Sequence, residues 1–358
     1  MDPPATTPHP RNMPRTNSQS PALTPESDTV NSIPDENIIQ TNEEASLCKL
    51  DAVKLGYWQD PYLPMMVHGS LRHERKAPDM YKGYYARVKC VERLVLQFIA
   101  AVRRARGPDA VVQIVNLGAG YDTLYWRLHA NAELVRQGKM RVVDLDLLPV
   151  TTKKCHFIRG HKQLMDLLIG EVRDGEVAHG ELHSDEYDLI SSDIRDTLQI
   201  ERKLMDNCKL DPKQPTLFIA ECVLIYMSTG STKQLLSWIA KTFHTAAFIN
   251  YEQVHMDDHF GQIMFDALKA QGCLLADADS CKSLEMHEQR FLKTGWDGAQ
   301  AADMNQMCGS LPQADVDRVD RIAMIDEPEV LRQLFAHYSI TWAQKGGADI
   351  GLDKIRLV

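Results

Sequence analysis

Four short apolar runs in this sequence each end on residues able to hold a polar ligand. The first leads into Asn116-Leu117-Gly118-Ala119-Gly120-Tyr121-Asp122-Thr123, a strand, a glycine turn and the start of a helix. Glycine there lets the backbone approach a ligand closely. Alone, a Gly-x-Gly turn is shared by many nucleotide-binding folds, and it is equally the mark of a tight turn that holds nothing. The second run ends on Asp144 and Asp146, placed past the glycines where an acid accepts hydrogen bonds from ribose hydroxyls. Asp193 follows the third run and Glu221 the fourth. Ligands of an open parallel sheet bind outside the carboxyl ends of its strands, so these four endings point to one site.

The chemistry of that site narrows the ligand. A dinucleotide fold sets pyrophosphate on the helix N-terminus and uses a third glycine for close packing. Here the helix opens with Asp122-Thr123, and a carboxylate in the first turn repels pyrophosphate. A sulfonium cofactor without phosphate, S-adenosyl-L-methionine, meets no such repulsion, and the acid favours the helix dipole. No Walker A loop is present, which disfavours ATP. The eight cysteines form no Cys-x-x-Cys pair, so no metal site is expected, and reduced thiols in a cytoplasmic protein are the simpler reading.

Positioning four strand ends together requires alternating strands and helices. Apolar patterning predicts strands over 111–117, 140–145, 187–191, 216–220 and 246–251, with helices over 122–129, 231–243 and 260–271. Two further helices are predicted over 43–53 and 83–101. This rhythm implies a mostly parallel sheet covered on both faces. Residues 273–330 break it and read as an insertion on the substrate side. Residues 338–342 and 355–358 read as a closing antiparallel hairpin. Residues 1–40 alternate proline with Ser, Thr and Asn and are expected to be a disordered tail; removal of residues 1–38 is expected to leave activity intact. The domain proper then spans 41–358, with a helical part over 41–105.

The net charge of −9 in 358 residues argues against a general nucleic-acid binder, which needs a basic face. No secretory leader is apparent. The longest apolar run, 216–227, carries Glu221 and is too short to span a bilayer.

Several stretches together resemble the leucine carboxyl methyltransferase family. They include Cys48-Lys49, Gly56-Tyr57-Trp58-Gln59-Asp60-Pro61-Tyr62, Glu74-Arg75-Lys76-Ala77-Pro78, Gly83-Tyr84-Tyr85-Ala86-Arg87, the glycine turn, Ala220-Glu221-Cys222, Asn250-Tyr251-Glu252-Gln253, Cys281-Lys282-Ser283-Leu284 and Lys345-Gly346-Gly347. The resemblance implies an α/β class I S-adenosylmethionine-dependent methyltransferase fold, Rossmann-like, with a seven-stranded, mostly parallel sheet, added N-terminal helices and an insertion. It implies cofactor contacts from Lys49, Arg87, Gly118, Asp146, Asp193, Ile194 and Glu221, with Asp146 preferred over Asp144. It also implies the substrate: the C-terminal leucine carboxylate of the protein phosphatase 2A catalytic subunit. A cytoplasmic monomer is expected. A related branch, which modifies a tRNA base, carries a long C-terminal repeat region not seen here. The alternatives are a small-molecule O-methyltransferase of the same fold and a nicotinamide-dependent oxidoreductase.

A terminal carboxylate has a pKa of about 3.3–3.7 and is ionised at neutral pH. Its methylation needs no general base, so no catalytic His or Cys is expected. Alignment and desolvation carry such a reaction. Arg87 is the best candidate to grip a carboxylate, since a guanidinium fork binds it bidentately, with Lys49 second. Tyr226 and Tyr251 are candidates for the leucine pocket, or else core aromatics. Cys222 reads as packing, and Trp58 and Trp126 as structural.

Overall fold

The computed structural model of the chain describes residues 35–67, 75–136 and 138–358. Nine strands form one sheet: β1 (Val112–Leu117), β2 (Met140–Asp146), β3 (Arg173–Asp174), β4 (Leu182–His183), β5 (Tyr187–Ser191), β6 (Thr216–Glu221), β7 (Ala246–Gln253), β8 (Gly298–Asp303) and β9 (Tyr338–Lys345). Their order across the sheet is β3-β4-β5-β2-β1-β6-β7-β9-β8. The five strands from β5 to β7 are parallel, and β9 runs antiparallel to both β7 and β8. The seven strands from β5 to β8 are the expected sheet; β3 and β4 add two-residue strands at one edge.

Every residue of β1 is buried, because helices cover both faces and successive side chains point to opposite sides. Ile114, Val142, Leu217 and Ile249 pack with Leu94 and Phe98 on one face. Val115, Val143, Phe218 and Phe248 pack with Leu235 and Ile239 on the other. Leu94 and Phe98 lie on the long helix Pro78–Arg106, which opens on proline and closes at Gly107, whose φ of +82° suits glycine. The pairing register sets Leu117 beside Leu145 and Ala220, Asp146 beside Ser191, and Glu221 beside Tyr251. The parallel strands therefore end at a common level.

Three expectations are corrected. The first described helix is Asp35–Lys54, so the boundary at residue 40 falls inside a helix; residues 1–34 lie outside the described residues. Next, the partner of β9 is β8, whereas residues 355–358 form no strand. Ile355 and Leu357 are buried but held through the Gln300 side chain, whose Nε2 donates to the Ile355 carbonyl at 2.6 Å. Third, 273–330 is not wholly an insertion, because it supplies β8 and the helix Leu284–Leu292 that packs against it.

Candidate active site

A cavity of about 460 Å³ lies at the carboxyl ends of the parallel strands. All nine predicted site residues line it: Lys49, Arg87, Gly118, Asp146, Asp193, Ile194, Glu221, Tyr226 and Tyr251. They arrive from five strand ends and two helices, so the sheet register and the packing of Asp35–Lys54 and Pro78–Arg106 decide their spacing.

The glycine turn is tight for internal reasons. Gly118 has φ +65°, and a Cβ there would meet Val223 Cγ2 at 2.6 Å. Gly120 has φ +52°, and a Cβ would run into Asn42 Oδ1. Asn42, on the first helix, accepts the Tyr121 N–H at 3.3 Å. Gly120 thus admits a side chain of the first helix and Gly118 one that follows β6, while both glycines line the cavity, roles no local signal in the sequence discloses.

The structure separates the two acids of β2. Asp144 is 3% exposed and turned into the core, where its Oδ2 is 2.7 Å from Lys154 Nζ and accepts from Tyr187 Oη at 2.8 Å. Asp146 faces the cavity and braces the turn, accepting the Gly120 and Leu147 N–H groups, each at 2.7 Å. Burial raises the Asp146 pKa against those two bonds. Asp193 is partly exposed and bound by its near neighbour Arg195, at 2.8 Å from Nε. Burial resists its ionisation, but Arg195 prevails and its pKa falls.

Glu221 ends β6 and pairs with Arg87 Nε, while Arg87 Nη2 donates to the Glu221 carbonyl at 3.3 Å. The carboxylate within an apolar run thus has its partner. The Arg87 guanidinium also sits 4.8 Å from the centre of the Tyr251 ring, which stacks on Tyr338 at 5.3 Å. Lys49 makes no ion pair among the described residues. Burial lowers its pKa, and Glu221 nearby opposes the shift. Cys222 follows Glu221 at φ +55°, its N–H held by the Tyr251 carbonyl at 2.7 Å. Burial pushes its thiol up to about 11, which leaves it protonated and unreactive at neutral pH. Trp126 is fully buried, its Nε1 donating to the Leu164 carbonyl at 3.1 Å.

Sequence reasoning set Asp122 against a phosphate ligand without naming it a site residue, and it missed Arg127. Asp122 and Arg127 both line the cavity. Burial resists the ionisation of Asp122, but Lys49, Arg127 and Lys154 pull its pKa down to about 2. Arg127 stands 3.1 Å from Glu92, 3.4 Å from Asp122 and 3.6 Å from Asp60. Arg127 lies one turn into the helix that Asp122 precedes, and that closeness in sequence was the available signal.

The strands divide the lining chemically: β1, β2 and β5 bring the glycine turn, Asp146 and Asp193, whereas β6, β7 and β9 bring Tyr226, Tyr251 and Tyr338, and Tyr84, Leu334 and Phe335 also line the cavity. Lys49, Arg87 and Glu221 lie in the same lining. Burial raises the phenol pKa of all four tyrosines, so they are neutral and cannot serve as bases at neutral pH. Among the described residues, no helix is long and apolar enough to cross a membrane.

The family model for leucine carboxyl methyltransferase matches residues 36–240. Leucine carboxyl methyltransferase 1 of Rattus norvegicus is 41% identical over 324 residues, covering 90% of this chain and 93% of that one. The leucine carboxyl methyltransferase 1 homolog of Arabidopsis thaliana is 36% identical over 85% and 87% of the two chains. The tRNA wybutosine-synthesizing protein 4 of Homo sapiens is 33% identical over 86% of this chain but 44% of its own length. Haemonchus contortus phosphoethanolamine N-methyltransferase 2, solved in complex with S-adenosyl-L-methionine, has a TM-score of 0.38 at 11% identity, over 69% of this chain and 51% of that one. A likeness that slight leaves the fold to be argued from strand order. With that order, an α/β methyltransferase sheet, and with relatives matched over nearly their whole length, the chain belongs to the leucine carboxyl methyltransferase family and is an enzyme that methylates a carboxyl group.

Proposed function

We propose that the chain uses S-adenosyl-L-methionine to methylate the α-carboxylate of the C-terminal leucine of the protein phosphatase 2A catalytic subunit, giving a leucine methyl ester. The observation that carries this reading is a cavity whose lining is acidic on the β5-β2-β1 side and aromatic on the β6-β7-β9 side, with Lys49 and Arg87 among its lining residues. Acids on one side suit a ribose and a sulfonium; aromatic and aliphatic groups on the other suit a leucine side chain; cations suit carboxylates. The leucine carboxyl methyltransferase 1 proteins of Rattus norvegicus and Arabidopsis thaliana named above carry the carboxyl chemistry in their names, and the family resemblance supplies the phosphatase.

The residues present fit the cofactor. Asp146 already accepts two backbone N–H groups, and two of its four lone-pair sites remain for ribose hydroxyls. Nothing in the lining demands a phosphate, and Asp122 would repel one. Gly118, Asp193 and Ile194 would complete the contacts, and Lys49, Arg87 and Glu221 would hold the cofactor's charged amino-acid end. Bound there, S-adenosyl-L-methionine would supply the methyl group for the carboxylate oxygen, its sulfur keeping the electron pair of the carbon–sulfur bond.

The chain's own residues orient and desolvate. Lys49 and Arg87 offer positive charge to carboxylates entering the cavity, offsetting the cost of removing them from water. Tyr226, Tyr251 and Tyr338 exclude water and confine the leucine side chain. No proton is transferred, because the substrate enters ionised and leaves as a neutral ester. Holding the nucleophile close to its target supplies several kcal/mol of the barrier, up to roughly 7–11 for a well-oriented pair. All eight cysteines are free, which supports a cytoplasmic setting, and we take the working form to be a monomer.

The test is incubation with methyl-labelled cofactor and the phosphatase catalytic subunit. Label that is lost in mild alkali, and absent when the terminal leucine is removed, is the expected result. Alkali-stable label, or equal labelling of the leucine-less subunit, would overturn the proposal.

A further inference from the structure

A buried charged cluster stands behind the Tyr226–Tyr251 wall, and none of its groups lines the cavity. Glu252 follows Tyr251 on β7 and is fully buried, as are Cys281 and His287; Asp277 is 1% exposed. Arg290, on the helix Leu284–Leu292, reaches both acids. Its Nη1 donates to Glu252 Oε2 at 2.5 Å, and its Nη2 lies 3.3 Å from Asp277 Oδ2. Asp277 in turn grips the segment carrying the other tyrosine. Its N–H donates to the Ile225 carbonyl at 3.0 Å, and its Oδ1 accepts from Thr229 Oγ1 at 2.6 Å, on either side of Tyr226.

Glu252, Cys281 and His287 bring three donor atoms within 4.8 Å of one another, a spacing that also suits a metal ion. Here the positive charge is already supplied. Arg290 Nη2 is 3.4 Å from Cys281 Sγ, and Nη1 occupies Glu252. His287 Nε2 donates to the Gln253 carbonyl at 3.0 Å. Burial, aided by the charge of Arg290, holds the His287 pKa down at about 3, so its ring is neutral. A buried network of this kind adds little net stability over apolar packing. What a rigid fork with two engaged arms adds is a fixed distance between the segments it joins.

Resting on the function proposed above, we propose that Arg290 is a positioning residue for substrate selection. By tying Glu252 to Asp277 it fixes the separation of Tyr251 and Tyr226, and hence the width of the leucine end of the cavity. Gly118, Asp146, Asp193 and Ile194 reach the cofactor end from β1, β2 and β5, and the groups that Arg290 holds, Glu252, Asp277 and Cys281, include none of the proposed cofactor contacts.

Steady-state kinetics on the full chain with the phosphatase catalytic subunit test this, alongside cofactor affinity by calorimetry. Arg290→Met is expected to raise KM for the phosphatase roughly tenfold, since small misplacements are costly in such sites. Cofactor affinity is expected to stay within about twofold, a margin of ~0.4 kcal/mol. Arg290→Lys keeps the charge and loses the fork, so it should fall between. Should Arg290→Met leave two uncompensated acids and fail to fold, Glu252→Gln/Asp277→Asn/Arg290→Met restores neutrality, and the same rise in KM is expected. An unchanged KM in either folded variant, or a parallel loss of cofactor affinity, would overturn the positioning role. Absence of wild-type turnover would instead sink the parent reading.

Discussion

Arg87→Met removes the cation that pairs with Glu221 while keeping much of the side-chain volume, so it separates a structural from a catalytic role. The side chains of Arg87 and Glu221 are only 13% and 11% exposed. Removing one partner of a buried pair costs about 3–5 kcal/mol, and Lys49 nearby draws the expected value toward 3. At about 2 °C per kcal/mol for a large domain, the midpoint of thermal unfolding should fall by roughly 6 °C. If Arg87 grips a ligand carboxylate with both arms, two hydrogen bonds to charged groups are lost. At 1.5 kcal/mol or more each, kcat/KM should drop by at least about 100-fold. Glu221→Gln added to Arg87→Met removes the uncompensated acid. The double variant should regain most of the thermal stability and none of the activity. Methyl-transfer kinetics against both substrates, run beside thermal scans, read the two effects separately. A folded Arg87→Met enzyme with kcat/KM within about threefold of wild type would refute the role.

Three further outcomes are expected. Asp146→Ala should weaken cofactor binding by about tenfold or more in calorimetry, whereas Asp144→Ala should leave that affinity alone and lose about 3–5 kcal/mol in urea unfolding, because Lys154 is then buried without its partner; the opposite ranking would refute the assignment. Asp122 titrates near 2 when folded and near 3.9 when unfolded, so its contribution, on the order of 2 kcal/mol, is present above pH 4 and lost as pH falls toward 2. Asp122→Asn should show a shallower acid limb in urea unfolding between pH 5 and 2.5. Removing residues 1–34 should leave turnover intact, but a cut after residue 42 should abolish tight cofactor binding, because Asn42 braces Tyr121 and Asn37 Nδ2 donates to the Gly272 carbonyl at 2.8 Å.

The central strands were legible because burial on both faces demands unbroken apolar runs such as Ile114-Val115, and the glycines and acids that end them were legible as interruptions of those runs. β8 was not. It reads Gly-Ala-Gln-Ala-Ala-Asp and is mostly half-buried at the sheet edge, so composition gives it no strand signal, and its partner lies some 40 residues on in β9. About two turns of the Asp35–Lys54 helix were hidden for another reason: none of residues 36–42 is fully buried, and their anchors are polar contacts with distant residues. The site acids were visible one at a time, whereas the Arg87–Glu221 pair spans 134 positions and the Asn42 contact depends on a positive φ at Gly120. Local pattern records neither.

Ile38 and Tyr338 lie on the same cavity, and β9 closes against β7 along its whole length. Synthesis on the ribosome delivers those two residues three hundred positions apart. A nascent chain lacking the last strand has a bare β7 edge and an incomplete pocket, and long-range closure of this kind is slow. Catalytic competence therefore waits for β9 to leave the ribosome, and a fragment that stops short of it carries an unfinished pocket.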